Sequence, residues 1–311
     1  MTIILIKIIK NISLQESLVK KICEPMQSQV QRASEILSQI TVPTVPEELL
    51  LLKEELHRKY PNTVTIANLI SHNPELLVNF LTLVNTNITS EKNEIKDAKA
   101  AVNLLGLDEI YNIFLSSSIT SVLAQSDLEK SILMHGAKAG LASAELSYWV
   151  YDISRSEAYM AALMQNIGAV YLSRKYQEEY EKIFNAQLSN PVSSYIREIE
   201  MIGTSHCIVG GIISRRWNIS PDIYKAILFH HDMDFSKQTH SNTKVKHLTA
   251  LIILGNYTVS ASLTEQYITQ ELKEYRNTAK SVLELPDNAF KAASAAVQKW
   301  GNNPGLVSGS H

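Results

Sequence analysis

Turn-forming residues are scarce in this chain. Eleven glycines and nine prolines among 311 residues amount to about half of ordinary usage. So few tight turns disfavour a many-stranded β fold and favour long helices. Collagen-like and low-complexity classes are excluded on the same ground. Cysteine is scarcer still: Cys23 and Cys207, without CxxC spacing, indicate neither a disulfide framework nor a cysteine-rich zinc site. Charged residues make up 19%, below the usual level of about 25%. Lys+Arg 29 against Asp+Glu 31 leaves a net charge of −2. Arg174-Lys175 and Arg215-Arg216 are too short to form the basic stripe that grips a polyanion. Nucleic acid and anionic membrane are therefore not expected as partners. The opening MTIILIKIIKNI is apolar, but Lys7 and Lys10 interrupt it and no small-residue cleavage site follows, so it does not read as a secretory signal. Apolar runs such as Ala250 to Leu254 fall far short of the roughly 20 residues that span a bilayer. The expectation is a soluble, cytoplasmic protein with no cofactor.

What is present is helical periodicity. Hydrophobic residues reach 45%, enough for a sizeable core, and the length allows two domains or one large one at about 150 residues each. Residues 12–40 carry Ile22, Met26, Val30, Ala33, Ile36 and Leu37 at three-to-four spacing, an amphipathic helix. Pro43 and Pro46 then break the chain. The N-terminal extension is accordingly taken as residues 1–40, and its stripe can pack on its own domain or on a second copy. Further helices are predicted from Pro46 to about Tyr60, over 63–72 and from Asn73-Pro74 through Val84. Another runs over 97–105 to a Gly106 cap, and the next starts at Asp108. Beyond these come 127–151, 155–172, 173–188, 191–201, 205–217, 221–231 and 245–260, with a polar loop over 232–244. Residues 264–300 read as two helices broken at Leu285-Pro286-Asp287. No segment alternates as a strand does, and the fold class is all-α.

Several motifs then fall in order: SHNPELLVNFLTLVNT, LLGLDEI, MHG at 134–136, AALMQNIGAVYL at 161–172, and SHCIVGGIISRRWNISPDIYKAILFHHD at 205–232. In order and spacing they resemble the HDOD family, the bacterial signalling relatives of HD-domain phosphohydrolases. The resemblance covers about 41–260 and leaves 261–311 as C-terminal helices and tail. It implies a compact helical bundle.

An active HD hydrolase holds a divalent metal with a lone His, a His-Asp pair and a distant Asp. The carboxylates supply the charge that keeps the cation and acidifies its water. By resemblance His135 takes the place of the lone His. Gln165-Asn166 replaces the His-Asp pair, Asn256 the distant Asp, and Ala169 a lysine common in active relatives. Neutral amides bring no charge and accept no proton, so this centre reads as dismantled and the chain as no enzyme. His206, His230 and His231 match positions that give extra metal ligands in some cyclic-dinucleotide-cleaving relatives. The structural alternative has His206 packing beside Gly210, and His230 and His231 bonding the helix-end backbone. If any metal binds, His135, His206, His230 and His231 are the candidates. Adjacent helical residues point about 100° apart, so His230 and His231 need not share a target. Gly210-Gly211 reads as close helix packing, Trp149, Trp217 and Trp300 as core or interface residues, and Asn85 and Asn87 as helix-end caps. Lys138 and Glu145 read as solvated, with Glu145 a stand-in carboxylate should a metal be present.

The expected function is therefore a non-catalytic regulatory module that binds a protein partner or a small ligand. Helices within 46–105 are its docking face. The cleft of His135, Gln165, Asn166, His206, His230, His231 and Asn256 is the candidate ligand site. The alternative is a divergent metal-dependent phosphohydrolase working through its remaining histidines.

Overall fold

In the computed structural model, described over residues 16–87, 94–123, 125–262 and 267–301, the chain folds as a succession of helices, and no strand occurs among the described residues. The first six are α1 (Glu16–Ser38), α2 (Glu47–Leu56), α3 (Thr63–Ser71), α4 (Pro74–Asn87), α5 (Ala98–Leu105) and α6 (Leu107–Leu123). Five more form the middle: α7 (Asp127–Leu146), α8 (Arg155–Met164), α9 (Ile167–Gln187), α10 (Pro191–Ile202) and α11 (His206–Arg216). The last five are α12 (Pro221–Phe229), α13 (Phe235–Gln238), α14 (Thr243–Ser262), α15 (Gln270–Leu283) and α16 (Asp287–Trp300).

Local chemistry accounts for most boundaries. Asn62, Asp97, Ser126, Ser154, Ser205 and Thr269 cap helices by accepting from backbone N–H groups that have no intrahelical partner. Ser154 and Glu157 complete a reciprocal capping box. Gly106, at φ 76°, ends α5 as expected. The Asn85 amide accepts from the Ile95 N–H and donates to the Ile95 carbonyl, both at 2.8 Å, so it ties α4 to the segment that leads into α5. The side chains of Asn87, Asp108 and Trp300 lie outside the described residues. Trp217 is buried with its indole N–H on the Pro43 carbonyl, whereas Trp149 is half-exposed against Tyr148. The loop predicted over 232–244 contains the short α13, because Phe235 is fully buried there.

One continuous core runs from Ala33 to Val297, and helices at both ends belong to it. Arg32 of α1 donates to the Ile202 carbonyl and to the Tyr176 hydroxyl. Helix α16 lies along α7, while α15 lies against α14. The small residues of α7 let neighbouring helices approach closely. The tightest approach is between α9 and α11. A Cβ on Gly168 would stand 2.0 Å from the His206 carbonyl oxygen and 2.6 Å from the Gly210 nitrogen. Only a hydrogen fits there, so the two backbones touch and the side chains at the start of each helix are held in register.

Candidate functional site

The sequence pattern predicts a helix over 155–172, but the chain breaks at Gln165-Asn166, between α8 and α9. The apolar spacing of AALM continues into IGAV, which hides the break. Its consequence is to turn both amides inward. Gln165 is fully buried, and its Nε2 donates to Asn256 Oδ1 at 2.7 Å while its Oε1 accepts from Asn256 Nδ2 at 2.6 Å. The two amides pair reciprocally. Asn166 Nδ2 faces His135 Nδ1 at 3.4 Å, and the His135 ring meets Phe184 edge-on at 6.0 Å. Burial, with Lys138 adding to it, pushes the His135 pKa down to about 4, so the imidazole is neutral at neutral pH.

A divalent metal held by His135, Gln165, Asn166 and Asn256 would meet no negative charge and two amides already engaged with one another. These residues do not fit the metal of an HD hydrolase. Glu145 does not substitute, because it is paired with Arg155.

Four of the expected residues, His135, Asn166, His231 and Asn256, line a cleft together with Phe184, Leu272 and Tyr275. Counted with its mouth it encloses about 350 Å³, but only about 20 Å³ can take the centre of a water-sized molecule. That is room for about one water. Gln165 and Asn256 bond each other, and Asn256 lines the cleft beside Leu272 and Tyr275 of α15. The Tyr275 hydroxyl donates to the His230 carbonyl at 2.6 Å and fastens α15 there.

Behind this wall is a second, drier cluster. His230 caps α12 and His231 stands in the turn that follows, so the helical 100° separation no longer applies and their rings lie 4.1 Å apart. His206 opens α11 against them, its Nε2 3.4 Å from His230 Nε2. Cys207 Sγ is 3.6 Å from His206 Nε2 and 3.6 Å from His230 Nδ1. One ligand atom from each of His206, Cys207, His230 and His231 falls within 4.8 Å of the others. All four side chains are buried.

The outer faces of these rings are held by hydrogen bonds. Glu198, fully buried on α10, accepts from His206 Nδ1 at 2.7 Å, from the His206 backbone N–H at 3.0 Å, from the Tyr180 hydroxyl at 2.7 Å and from Gln187 Nε2 at 3.1 Å. His230 Nδ1 donates to the Ile227 carbonyl at 2.7 Å, which leaves its Nε2 lone pair facing His206 Nε2. His231 stacks on Tyr195 at 5.0 Å, and its Nδ1 is buried without a partner. Burial opposes charge on His206, yet the adjoining Cys207 and Glu198 outweigh it and hold its pKa well above the usual value. Burial, with His206 nearby, drives His230 down to about 3, and burial with both neighbouring histidines takes His231 well below its usual value. Cys207 is raised by burial.

Sequence reasoning missed two members of this cluster. Cys207 carried one available signal, its place directly after His206. Glu198 carried none, since an acid on an amphipathic helix ordinarily faces water.

Residues 42–233 match the HDOD domain. The chain belongs to the HDOD family. It is 23% identical over 269 residues to an uncharacterized protein of Treponema pallidum (strain Nichols), covering 82% of this chain and 51% of that one. It thus spans about half the length of the curated relative it matches. An HDOD domain protein of unknown function from Geobacter sulfurreducens shares its fold at TM-score 0.63 and 19% identity, over 88% of this chain and 95% of that chain. A candidate phosphohydrolase from Shewanella amazonensis SB2B matches at TM-score 0.63 and 15% identity, over 90% and 96%. A candidate signal transduction protein from Marinobacter aquaeolei VT8 matches at TM-score 0.53 and 13% identity, over 92% and 67%. At these identities the likeness is one of fold. The HDOD domain is related to the HD phosphohydrolases, and this chain keeps that all-α scaffold. No helix among the described residues is long and apolar enough to cross a membrane.

Proposed function

We propose that this HDOD domain is a non-catalytic signal-transduction module that acts by binding a protein partner. The observation that carries the reading is the Gln165–Asn256 amide pair. By the resemblance Gln165 stands at the histidine of the His-Asp pair and Asn256 at the distant Asp, and the cleft beside them has room for about one water. With the interior closed, communication passes through the surface. Leu50, Leu51, Val64, Val78 and Leu104, all between residues 47 and 105, are exposed large apolar side chains, in keeping with a docking role for those helices. The reading extends to a bacterial cytoplasmic setting, supported by the bacterial sources of its structural relatives.

The test has two arms. The full chain is assayed against phosphodiester and cyclic-dinucleotide substrates with added Mn²⁺, Mg²⁺, Fe²⁺ or Zn²⁺, and no turnover is expected. Turnover that disappears in His135→Ala overturns the proposal. In the second arm, wild-type protein and the Val78→Glu and Leu104→Glu variants capture partners from native lysate. Capture by wild type that is lost in a variant supports the reading, and capture by none of them counts against it.

A further inference from the structure

We propose that His206, Cys207, His230 and His231 bind one Zn²⁺ in a closed, four-ligand site, distinct from the dismantled centre at His135. Tetrahedral zinc with Zn–N of about 2.0–2.1 Å and Zn–S of about 2.3 Å spaces its ligand atoms about 3.4 Å apart for N···N and about 3.6 Å for N···S. The protein places His206 Nε2 3.4 Å from His230 Nε2 and Cys207 Sγ 3.6 Å from His206 Nε2. Two of the six edges of a zinc tetrahedron are thus at length, and all four ligand atoms lie within 4.8 Å of one another in buried side chains.

Each outer partner is of the kind a ligating imidazole requires. His206 gives its other nitrogen to Glu198 and His230 gives its own to the Ile227 carbonyl, which orients both rings with Nε2 inward. His231 supplies the most direct sign, a buried Nδ1 with no hydrogen-bond partner. A buried nitrogen without a partner is destabilising, and a metal ligand bond removes that cost. Charge balances as well: Zn²⁺ is offset by the Cys207 thiolate, deprotonated by the metal, and by the Glu198 carboxylate directly behind His206. Two features separate this from the centre expected by resemblance. Cys207 is a ligand and His135 is not. With four protein ligands no position stays open for water, so the site is structural and not hydrolytic. His231 also lines the cleft, which gives the ion a way in.

The experiment uses full-length protein purified without a histidine tag, stripped with a chelator and reloaded with Zn²⁺ or Co²⁺ alone. One Zn²⁺ per chain by elemental analysis is expected. The cobalt form should show the intense visible bands of four-coordination together with a thiolate-to-cobalt charge-transfer band. His231→Gln removes a ligand whose nitrogen makes no hydrogen bond, so this variant should keep its helical circular dichroism and lose bound zinc. Cys207→Ser should lose the charge-transfer band. Failure of the stripped protein to take up zinc overturns the proposal, as does a cobalt spectrum without the thiolate band. Undiminished zinc in a folded His231→Gln does the same.

Discussion

Replacing Glu198 by Gln tests how the buried cluster is held. Oε1 of Glu198 accepts from the Tyr180 hydroxyl and the His206 N–H, and Oε2 accepts from Gln187 Nε2 and His206 Nδ1. Whichever oxygen becomes an NH₂, two donors face a donor. The Gln187 amide can flip and His206 can surrender its proton, so the cheaper arrangement puts the NH₂ at the Oε2 position. What is lost even then is the charge-assisted bond to a fully buried histidine. Breaking a buried pair from one side costs about 3–5 kcal/mol, and the relief by flipping points to the lower end, about 3 kcal/mol. At about 2–4 °C per kcal/mol for a chain of this size, the melting temperature should fall by roughly 6–12 °C. The assay is thermal and urea unfolding followed by circular dichroism, with chelator present so that no metal contributes. Glu200→Gln, exposed on the same helix, should change stability by no more than about 0.5 kcal/mol. In a double-mutant cycle, Glu198→Gln and His206→Gln should show a coupling of at least about 1 kcal/mol. A Glu198→Gln protein within about 1 kcal/mol of wild type, or additive behaviour of the pair, refutes the reasoning.

Three other outcomes are expected. His135, with a folded pKa of about 4, is protonated more readily in the unfolded chain, so its contribution is whole above about pH 6.5 and is lost as pH falls toward 4. At pH 5 the loss is about 2 kcal/mol, and His135→Gln should lose that much less than wild type between pH 7.5 and 5 in urea titrations; an unchanged difference contradicts the assignment. Gly168→Ala drives a Cβ into the His206 carbonyl and the Gly210 nitrogen, backbone atoms that cannot step aside. A destabilisation of about 3 kcal/mol or an insoluble product should follow, and a melting temperature equal to wild type would rule out the close contact. Arg174→Met strands Glu129, which is buried and paired through Arg174 Nη2 at 3.0 Å and Nε at 3.2 Å. About 3 kcal/mol should be lost in chemical denaturation, and a loss below about 1 kcal/mol would show the pair to be of the weak surface kind.

The helices were legible because two signals coincide along most of the chain: apolar residues at three-to-four spacing and sparse, well-placed Pro and Gly. Helix α10 begins at Pro191 and ends at Gly203 in the left-handed conformation, and Pro286 separates α15 from α16. The break at Gln165-Asn166 was not legible, because apolar periodicity runs through it and the decisive interactions come from Asn256, 91 positions away. The amide identities at the old catalytic positions could be read from motif order alone. Their pairing could not, since it depends on how far apart α8 and α14 lie. Cys207 and Glu198 were invisible for the same reason. One reads as an isolated thiol and the other as a surface acid until α9, α10 and α11 close around them.

These two neighbouring clusters keep the polar interior of the bundle largely paired. Removing carboxylates from a buried metal centre would leave histidine and amide groups unsatisfied, at about 1–3 kcal/mol each. In this chain the debt is settled pairwise: Gln165 with Asn256, Asn166 with His135, and Tyr275 with the His230 carbonyl. The last of these also draws α15 across the cleft. A ligand larger than a water finds no room in the cleft that Asn166, Asn256, Leu272 and Tyr275 line. A protein surface meets no such barrier at the exposed apolar side chains of α2 to α5. On the proposed reading, these paired amides favour a filled interior, and a filled interior leaves recognition to the outside of the bundle.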